Sequence, residues 1–226
     1  MDFHRSPEPR PAAIAYEEWP FDEMLSEYLP CPQKPPRASL TQLLETRRSR
    51  RRGTSVDKEH LSTILWFAAK TMVATVGGFP RWEHRGTPSA GGCHPIDILV
   101  SNWMPNPGIL YRYEPIGHAL MRLRVADQDA ADELNRAGAE AVGNDAGTLL
   151  WHAAQFERTG SRYIDGESLV WRDAGALVVT ISLLAELLDL SCCAIGATGE
   201  PHLSRALGSG ERVVGVGGCV IGRRGV

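Results

Sequence analysis

The segment SLTQLLETRRSRRRG, residues 39–53, joins an apolar helical pattern directly to a dense run of positive charge. Ser39 and Gln42 form a capping box, in which the two side chains satisfy free amide groups at a helix N-terminus. The leucines at 40, 43 and 44 then share one face of the helix. We expect a helix that begins at Ser39, continues into the arginines and ends near Gly53.

The positive run has five arginines in six positions, with Ser49 among them: Arg47, Arg48, Arg50, Arg51 and Arg52. Guanidinium groups bind phosphate through paired N–H donors, and a serine hydroxyl adds a further hydrogen bond. Two arginines would be enough to complement the negative end of a helix dipole, so five indicate a site for a small anion. The alternative of a solvated charged surface stays open, because charge runs are often no more than that.

After Gly53 the hydrophobic pattern changes between helical and strand periods. A helix capped by Asp57 should contain the apolar positions from Leu61 to Met72 and end at Gly77-Gly78. Strands are predicted at residues 96–101, 109–113, 118–124, 148–154 and 213–221, and further helices at 126–142 and 173–188. Short loops between neighbouring strands favour antiparallel pairing. This irregular order predicts an α+β fold with a mostly antiparallel central sheet flanked by helices.

The helix predicted at 173–188 is expected to open at Asp173 and is apolar nearly all round. Such a helix belongs either in the middle of the fold or at a subunit interface. By contrast, residues 1–38 hold 8 of the 15 prolines. Proline removes amide donors and disfavours helix before it, so we expect an extended N-terminal arm that docks on a domain formed by residues 39–226.

Two loops consist mainly of small residues. The first, PSAGGCHP at 88–95, precedes a predicted strand, and the second, CCAIGATG at 192–199, follows the apolar helix. Small side chains allow a backbone to approach a flat ligand closely. Taken alone, the first is better explained as an ordinary loop before a strand, and the second is equally well explained as the end of a strand followed by a turn.

Composition and charge limit the possible functions. The net charge of −3 argues against nucleic acid and anionic membrane surfaces as partners, which both favour a strong basic excess. No uninterrupted apolar run has the length of a membrane span, and the first residues lack the apolar core of a secretory signal. Five cysteines without zinc-ligand spacing fit a reduced protein in the cytoplasm and predict no metal site.

Taken together, RRSRR after the first helix, PSAGGCHP before a strand, and DAG followed by an apolar helix resemble the nitroreductase-like FMN flavoproteins. The PSAGG-HP form is most similar to the SagB-type branch, also called McbC-like. That branch includes dehydrogenases that oxidise azolines in modified peptides. The resemblance covers residues 39 to about 224 and implies an obligate homodimer with two FMN sites at the interface.

The resemblance assigns roles to individual residues. It implies that Arg47, Arg48, Ser49 and Arg51 bind the FMN phosphate and ribityl chain, and that Arg223 completes the phosphate site. It places Pro88, Ser89, Ala90 and Gly91 beside the isoalloxazine of the partner subunit. It places the backbone of Ile195, Gly196 and Ala197 near the flavin N5.

One segment departs from the branch pattern. Where SagB-type enzymes have a Lys-Tyr pair, this chain has Arg162-Tyr163, and the arginines and tyrosines that usually follow are missing. Arginine stays protonated at any working pH, so Arg162 can hold an anion but cannot be a general base. Tyr163 can still donate or accept a proton. We therefore expect an FMN-dependent oxidoreductase acting on a small molecule or peptide, or alternatively a flavin-fold scaffold subunit with little redox activity.

Overall fold

The computed structural model describes residues 5–32, 34–74, 82–143 and 146–225. Its strands are β1 (Glu8–Pro9), β2 (Glu23–Tyr28), β3 (Val73–Ala74), β4 (Glu83–His84), β5 (Ile96–Ser101), β6 (Tyr111–Glu114), β7 (Ala119–Leu123), β8 (Thr148–Ala154), β9 (Tyr163–Ile164), β10 (Leu190–Ile195) and β11 (Val214–Arg223). Its α-helices are α1 (Leu40–Thr46), α2 (Lys58–Ala69), α3 (Gln128–Val142), α4 (Phe156–Gly160), α5 (Glu167–Leu187) and α6 (His202–Leu207).

Seven strands form one central sheet in the order β10–β11–β8–β5–β6–β7–β2, and every neighbouring pair in it is antiparallel. The strand β11, last in the chain, lies between β8 and β10. Two small antiparallel pairs lie outside this sheet: β1 with β9, and β3 with β4. The predicted α+β class with a mostly antiparallel sheet is therefore confirmed.

Helices cover both faces of the sheet. Successive apolar side chains of a strand point to opposite faces, so each face has a hydrophobic core that helices cover. On β8, Leu150 packs in the core with α2 and α5, whereas Leu149 and Trp151 pack in the core with α3 and α6. Successive side chains of a strand point to opposite faces, so one apolar strand serves both layers. Val142, at the end of α3, is buried in the second core.

Strands at 96–101 and 148–154 have the predicted bounds, and the other predicted strands shift by one or two residues. The helix predicted from Ser39 to Gly53 is too long. It ends at Thr46, because Arg47 already has an extended backbone with φ −55° and ψ 128°. The arginines therefore lie in a loop, which gives their side chains and amides freedom to face a ligand.

The second predicted helix is also too long. Asp57 caps α2 as expected, by accepting a hydrogen bond from the His60 amide. The helix ends at Ala69, because Lys70 turns into the β3–β4 hairpin, and Met72 lies outside the helix. Gly77-Gly78, the predicted stop, lies outside the described residues.

The predicted start of the long apolar helix at Asp173 is wrong, since α5 begins at Glu167. Asp173 lies inside the helix and is buried, and its carboxylate binds a neighbouring loop rather than the helix's own amides. One face of α5 packs on the sheet, whereas Val179 on the outer side is 54% exposed. Among the described residues, α5 is the one helix long and apolar enough to cross a membrane, a property that it shares with core helices of soluble proteins.

Eight of the elements named above were not predicted: β2, β10, α4, α6 and the two-residue strands β1, β3, β4 and β9. For β10 the sequence indicates no more than a loop or the end of a strand, because LSCCAI lacks an alternating polar pattern. It is buried on both faces except at Ala194, and such strands show no period of two. The strand β2 pairs with β7 at the edge of the sheet, within the segment predicted as an extended arm.

Candidate active site

The loop after α1 docks at the shared end of β10 and β11. We call residues 47–53 the arginine loop. The amide of Arg50 donates to the Cys192 carbonyl at 2.9 Å, and Thr54 and Arg223 exchange two backbone hydrogen bonds of 3.1 and 2.8 Å. The fold thus brings Arg223 to the end of the arginine loop, although Gly53 and Arg223 are 170 positions apart in the chain (223 − 53).

Two glycines allow this close approach. A Cβ atom on Gly53 would lie 2.3 Å from the Ser191 Oγ and 2.9 Å from the Arg223 carbonyl oxygen. A Cβ on Gly222 would lie 2.8 Å from the Thr54 carbonyl oxygen. A larger residue at either position would push the arginine loop away from the sheet.

Two arginines near this loop are engaged by acidic side chains of the protein itself. Glu186, near the end of α5, accepts hydrogen bonds from Arg50 at 2.5 Å and Arg224 at 2.8 Å, and Arg224 also pairs with Asp189. Burial acts to raise the pKa of Glu186, but hydrogen bonds from Thr46 and Arg50 and the two arginine charges lower it overall. Arg50 and Arg224 therefore fix the loop to α5.

The other cations of this region have no such acidic partner among the residues that the structure describes. Within the part of the chain that is described, Arg47, Arg51, Arg52 and Arg223 form no ion pair, while Arg48 donates to the backbone carbonyls of Glu45 and Arg47. The pKa of the Cys192 thiol is lowered, mainly by its hydrogen bond with Cys219 and to the smallest extent by the positive charge of Arg47. Arg47 therefore lies near Cys192 on β10. Ser49 is exposed beside these arginines.

A second group of predicted residues surrounds the loop before β5. We call residues 88–92 the glycine loop. The Ser89 hydroxyl donates to the Asp173 carboxylate at 2.5 Å, and the Ala90 amide donates to the same carboxylate at 3.2 Å. Burial raises the pKa of Asp173, against the lowering effect of these two hydrogen bonds. The sequence did not indicate this anchoring role, although a lone acid within an apolar helix was a usable signal.

The glycine loop also contacts the two predicted catalytic residues. Gly91 has φ +58° and Gly92 has φ +64°, values that favour glycine. A Cβ on Gly91 would lie 3.0 Å from the Tyr163 hydroxyl oxygen and 3.5 Å from the Arg162 Cδ. Arg162 and Tyr163, both half-buried, therefore lie directly against the loop that holds Pro88, Ser89, Ala90 and Gly91.

Two titratable groups that directly follow the glycine loop, Cys93 and His94, are uncharged at neutral pH. Burial, aided by the charge of Arg85, lowers the pKa of His94 to about 4. Burial also raises the pKa of the Cys93 thiol to about 11, despite the nearby charge of Arg162. Cys93 is therefore a poor nucleophile, since the thiolate is the reactive form. No group of three or more metal-binding side chains occurs among the described residues.

The third predicted group, Ile195 to Ala197, lies at the far end of β10. The Ser182 Oγ lies 3.5 Å from the Cys192 Sγ, and Ile195 lies three residues further along the strand, or about 10 Å at about 3.3 Å per residue. Ile195 is buried, while Gly196 and Ala197 are exposed. A Cβ on Gly196 would meet no atom of the described residues within 4 Å, so this turn faces open space.

Within one chain the predicted site residues thus do not form one cluster. The arginine loop is tied to Glu186 near the end of α5, whereas the glycine loop is tied to Asp173 in its first half. Thirteen helical residues separate these anchors, which corresponds to about 20 Å at about 1.5 Å per residue.

Comparison with known proteins identifies the fold's relatives. The Nitroreductase family model matches residues 44–223. A protein described as a nitroreductase from Ralstonia eutropha JMP134 superposes with a TM-score of 0.69 at 22% identity, covering 98% of this chain and 100% of that one. No curated protein sequence matches the chain.

Two further structures share the fold. The microcin synthetase McbBCD of Escherichia coli, with truncated pro-MccB17 bound, matches with a TM-score of 0.58 at 17% identity, over 88% of this chain and 79% of that one. A nitroreductase in complex with FMN from Desulfovibrio desulfuricans matches with a TM-score of 0.53 at 18% identity, over 84% and 89%. The family match over most of the chain and the common fold lead to one conclusion: this chain belongs to the nitroreductase family of flavin-dependent oxidoreductases.

Proposed function

We propose that this chain is a homodimeric, FMN-dependent oxidoreductase that binds one noncovalent FMN per subunit. The observation that carries this proposal is a group of cations at the arginine loop that form no ion pair among the described residues, namely Arg47, Arg51 and Arg223. Of the described acids nearby, Glu186 and Asp189 pair with Arg50 and Arg224. Asp57, whose pKa the charge of Arg223 helps to lower, is bonded to His60. A phosphate group would supply the missing negative charge.

The residues present fit the rest of this cofactor. The turn at Gly196 borders open space, and the glycine loop carries no large side chain, so both leave room for a flat ring. We assign the phosphate and ribityl chain to Arg47, Arg48, Ser49, Arg51 and Arg223, and the ring to the backbone of Ile195, Gly196 and Ala197 and to Pro88, Ser89, Ala90 and Gly91. When bound, FMN supplies hydride transfer, and the protein supplies orientation and electrostatics.

A second copy of the chain would bring the two ends of the site together. The arginine loop and the glycine loop of one chain are held about 20 Å apart along α5, which favours a site built from one chain's arginine loop and the partner's glycine loop. The outer side of α5 carries exposed apolar surface, including Val179, that a partner would cover. Both observations support the homodimer.

For the chemistry we assign Tyr163 as the proton donor or acceptor and Arg162 as the group that holds a substrate oxygen by charge. Their contact with Gly91 supports these roles, because the glycine loop is the part assigned to the ring.

We further propose a SagB-like role, the oxidation of a heterocycle or another intermediate in the synthesis of a natural product or modified peptide, in the cytoplasm. The likeness in fold to the microcin synthetase, which is seen with a precursor peptide bound, is in keeping with this role. Residues 1–38 would serve as an arm on the FMN-binding domain formed by residues 39–226.

The test is the colour of the purified protein. We expect flavin absorbance at about one FMN per chain, bleached by dithionite and restored by air. Mass spectrometry of the heat-released cofactor distinguishes FMN from other flavins. A colourless protein that takes up no added FMN would contradict the proposal. It would favour the scaffold alternative, for which the altered Arg162-Tyr163 segment is the only specific support.

A further inference from the structure

Residues 8–14 lie along the backbone of the segment that carries Arg162 and Tyr163. The strand β1 pairs antiparallel with β9, so that Pro9 lies opposite Tyr163 and Glu8 opposite Ile164. The Arg10 amide donates to the Arg162 carbonyl at 2.7 Å, and the Ile14 amide donates to the Ser161 carbonyl at 2.9 Å. The N-terminal segment therefore covers the outer edge of this short strand.

The side chain of Arg10 adds a third bond of the same kind. Its Nε donates to the Gly160 carbonyl at 2.7 Å. Three consecutive carbonyl groups, those of Gly160, Ser161 and Arg162, thus accept hydrogen bonds from residues 8–14. Such a continuous set of bonds fixes the path of the backbone from the end of α4 to Tyr163.

On its inner side the same segment meets the glycine loop. The Tyr163 hydroxyl lies against Gly91, so the pair Arg162-Tyr163 is held between Gly91 and the N-terminal segment. Because Gly91 has no side chain and Tyr163 is only half-buried, little on the inner side prevents the phenol from shifting. The bonds from Arg10 and Ile14 supply the constraint on the outer side.

The N-terminal segment is attached to the body of the protein elsewhere. The Trp19 amide donates to the Gln155 Oε1 at 2.8 Å, its ring lies 5.4 Å from the Arg212 guanidinium, and β2 follows as an edge strand. Before Trp19 most residues are exposed, Ile14 by 48%. Residues 8–14 belong to neither core, so we expect their removal to leave the packing of the fold intact.

We propose that residues 8–14 position the Arg162-Tyr163 pair, and that Arg10 is the principal positioning residue. The inference rests on the proposed function, in which Tyr163 moves a proton. Arg10 acts through Tyr163 and touches no reacting group itself.

Limited trypsin digestion tests whether residues 8–14 hold the backbone of the Arg162-Tyr163 segment. It can be done with or without bound FMN. A chain lacking residues 1–14 is compared with one lacking residues 1–7, which loses the exposed pair of Arg5 with Asp165 but keeps the bonds made by Arg10 and Ile14. Cleavage after Arg162 should be at least about tenfold faster in the shorter chain, because the segment's edge is then open. Cleavage after the exposed Arg136 on α3 should be equal in both. Equal rates after Arg162 would overturn the proposal.

The effect of Arg10 on the reaction is tested with a pair of matched variants at position 10. Gln places an N–H donor at the same bond distance from Cα as the Arg Nε, whereas Met keeps a similar length without a donor. Each protein is reduced with dithionite without oxygen and mixed with 4-nitrobenzoate, and the return of the flavin band is followed. Arg10→Met should slow the saturating rate by about tenfold at an unchanged half-saturating concentration and FMN content. Arg10→Gln should restore at least half of it.

The same variants in a Tyr163→Phe background decide whether Arg10 acts through Tyr163. We expect no further loss there, because two residues that share one effect are not additive. Equal losses in both backgrounds, or no loss in either, would refute positioning while Tyr163 keeps its role. If Tyr163→Phe alone changes nothing, the catalytic role of Tyr163 fails and the positioning proposal fails with it.

Discussion

The two ends of α5 hold the two halves of the candidate site in opposite ways. Near its C-terminal end, Glu186 binds Arg50 and Arg224 and leaves other arginines of the loop without an ion pair among the described residues. In its first half, Asp173 binds Ser89 and Ala90, so that the glycine loop is satisfied within the chain. The arginine loop therefore has positively charged side chains available to bind an anionic ligand, whereas the glycine loop is held in one conformation by Asp173.

This difference indicates a division of work. A surplus of guanidinium groups favours binding of an anion, since each charge-assisted hydrogen bond contributes to affinity. A loop with its polar groups paired keeps its geometry without a ligand, which lowers the entropy cost of the reactive arrangement. We therefore expect substitutions at the C-terminal end of α5 to affect cofactor binding, and substitutions at the other end to affect rate.

The largest expected effect is the loss of FMN from the double variant Arg47→Ala/Arg51→Ala. Charge-assisted hydrogen bonds contribute about 1.5 to 3 kcal/mol each, so removing two should raise the Kd by about 10²- to 10⁴-fold. Fluorescence titration of the apoprotein with FMN measures the change. The control is Arg136→Ala, which removes an exposed arginine paired with Glu133 on α3. Full FMN occupancy in the double variant would show that the phosphate lies elsewhere.

At the opposite end, Tyr163→Phe should lower the rate of flavin return with 4-nitrobenzoate by about 10²-fold, the usual effect of losing one acid–base group. FMN content should not change, because Tyr163 lies with the glycine loop and not with the arginine loop. The matched control is Tyr28→Phe, an exposed tyrosine on the edge strand β2. A normal rate in Tyr163→Phe would remove its catalytic assignment.

The link between the two ends is tested by Val179→Asp on the outer side of α5. A charge placed in an apolar interface must be desolvated, so the dimer Kd should rise by about 10- to 100-fold. Analytical ultracentrifugation over a range of concentrations measures it, and FMN content should fall in parallel if both chains build each site. A wild-type protein that is monomeric at micromolar concentration and still holds flavin would contradict this arrangement.

The smallest effect is expected for Asp173→Asn, which keeps the size of the side chain but weakens its acceptance from Ser89 and Ala90. Loss of about 1 kcal/mol of hydrogen bonding should slow the same reaction by about fivefold. An unchanged rate in this variant would show that the glycine loop does not depend on the carboxylate.

The stability of Asp173→Asn relative to wild type should depend on pH. Burial raises the pKa of Asp173 in the folded protein, so its favourable contribution to stability is present below the unfolded value of 3.8 and is lost as pH rises through the folded pKa. Relative to wild type, Asp173→Asn should therefore gain stability between pH 4 and pH 7. Urea unfolding at both pH values measures the change in the free energy of unfolding. An opposite trend would show that folding does not raise the pKa of Asp173.

The parts of the fold that the sequence predicted well are those in which periodicity and turns agree. The strands at Ile96–Ser101 and Thr148–Ala154 were predicted to the residue, since polar loops mark their ends. The strand Leu190–Ile195 was missed, because a strand covered on both faces has no alternation to detect. Asp173 resembled a helix cap, and only tertiary structure showed that its carboxylate binds the loop of Ser89 instead.

The candidate site was predictable to a similar extent. The arginine run pointed to an anion site, and a family resemblance supplied the other residues, whose roles stay predictions. The sequence could not show that Arg50, unlike the neighbouring arginines, pairs with an acidic side chain, because its partner Glu186 lies 136 positions away in the chain. It likewise could not indicate that residues 8–14 lie on the Arg162-Tyr163 segment, since two-residue strands carry no pattern of their own.

The position of β11 between β8 and β10 has a consequence for how the chain is made. During synthesis, β8 and β10 leave the ribosome before residues 214–223, so neither can yet pair with the strand that separates them. The first strand of the sheet, β2, also waits for β7, which follows it by about 90 residues. Such distant pairings fold slowly and leave apolar edges open for some time. We therefore expect the nascent chain to depend on chaperones until the final strand is inserted, a demand that shorter local hairpins would not create.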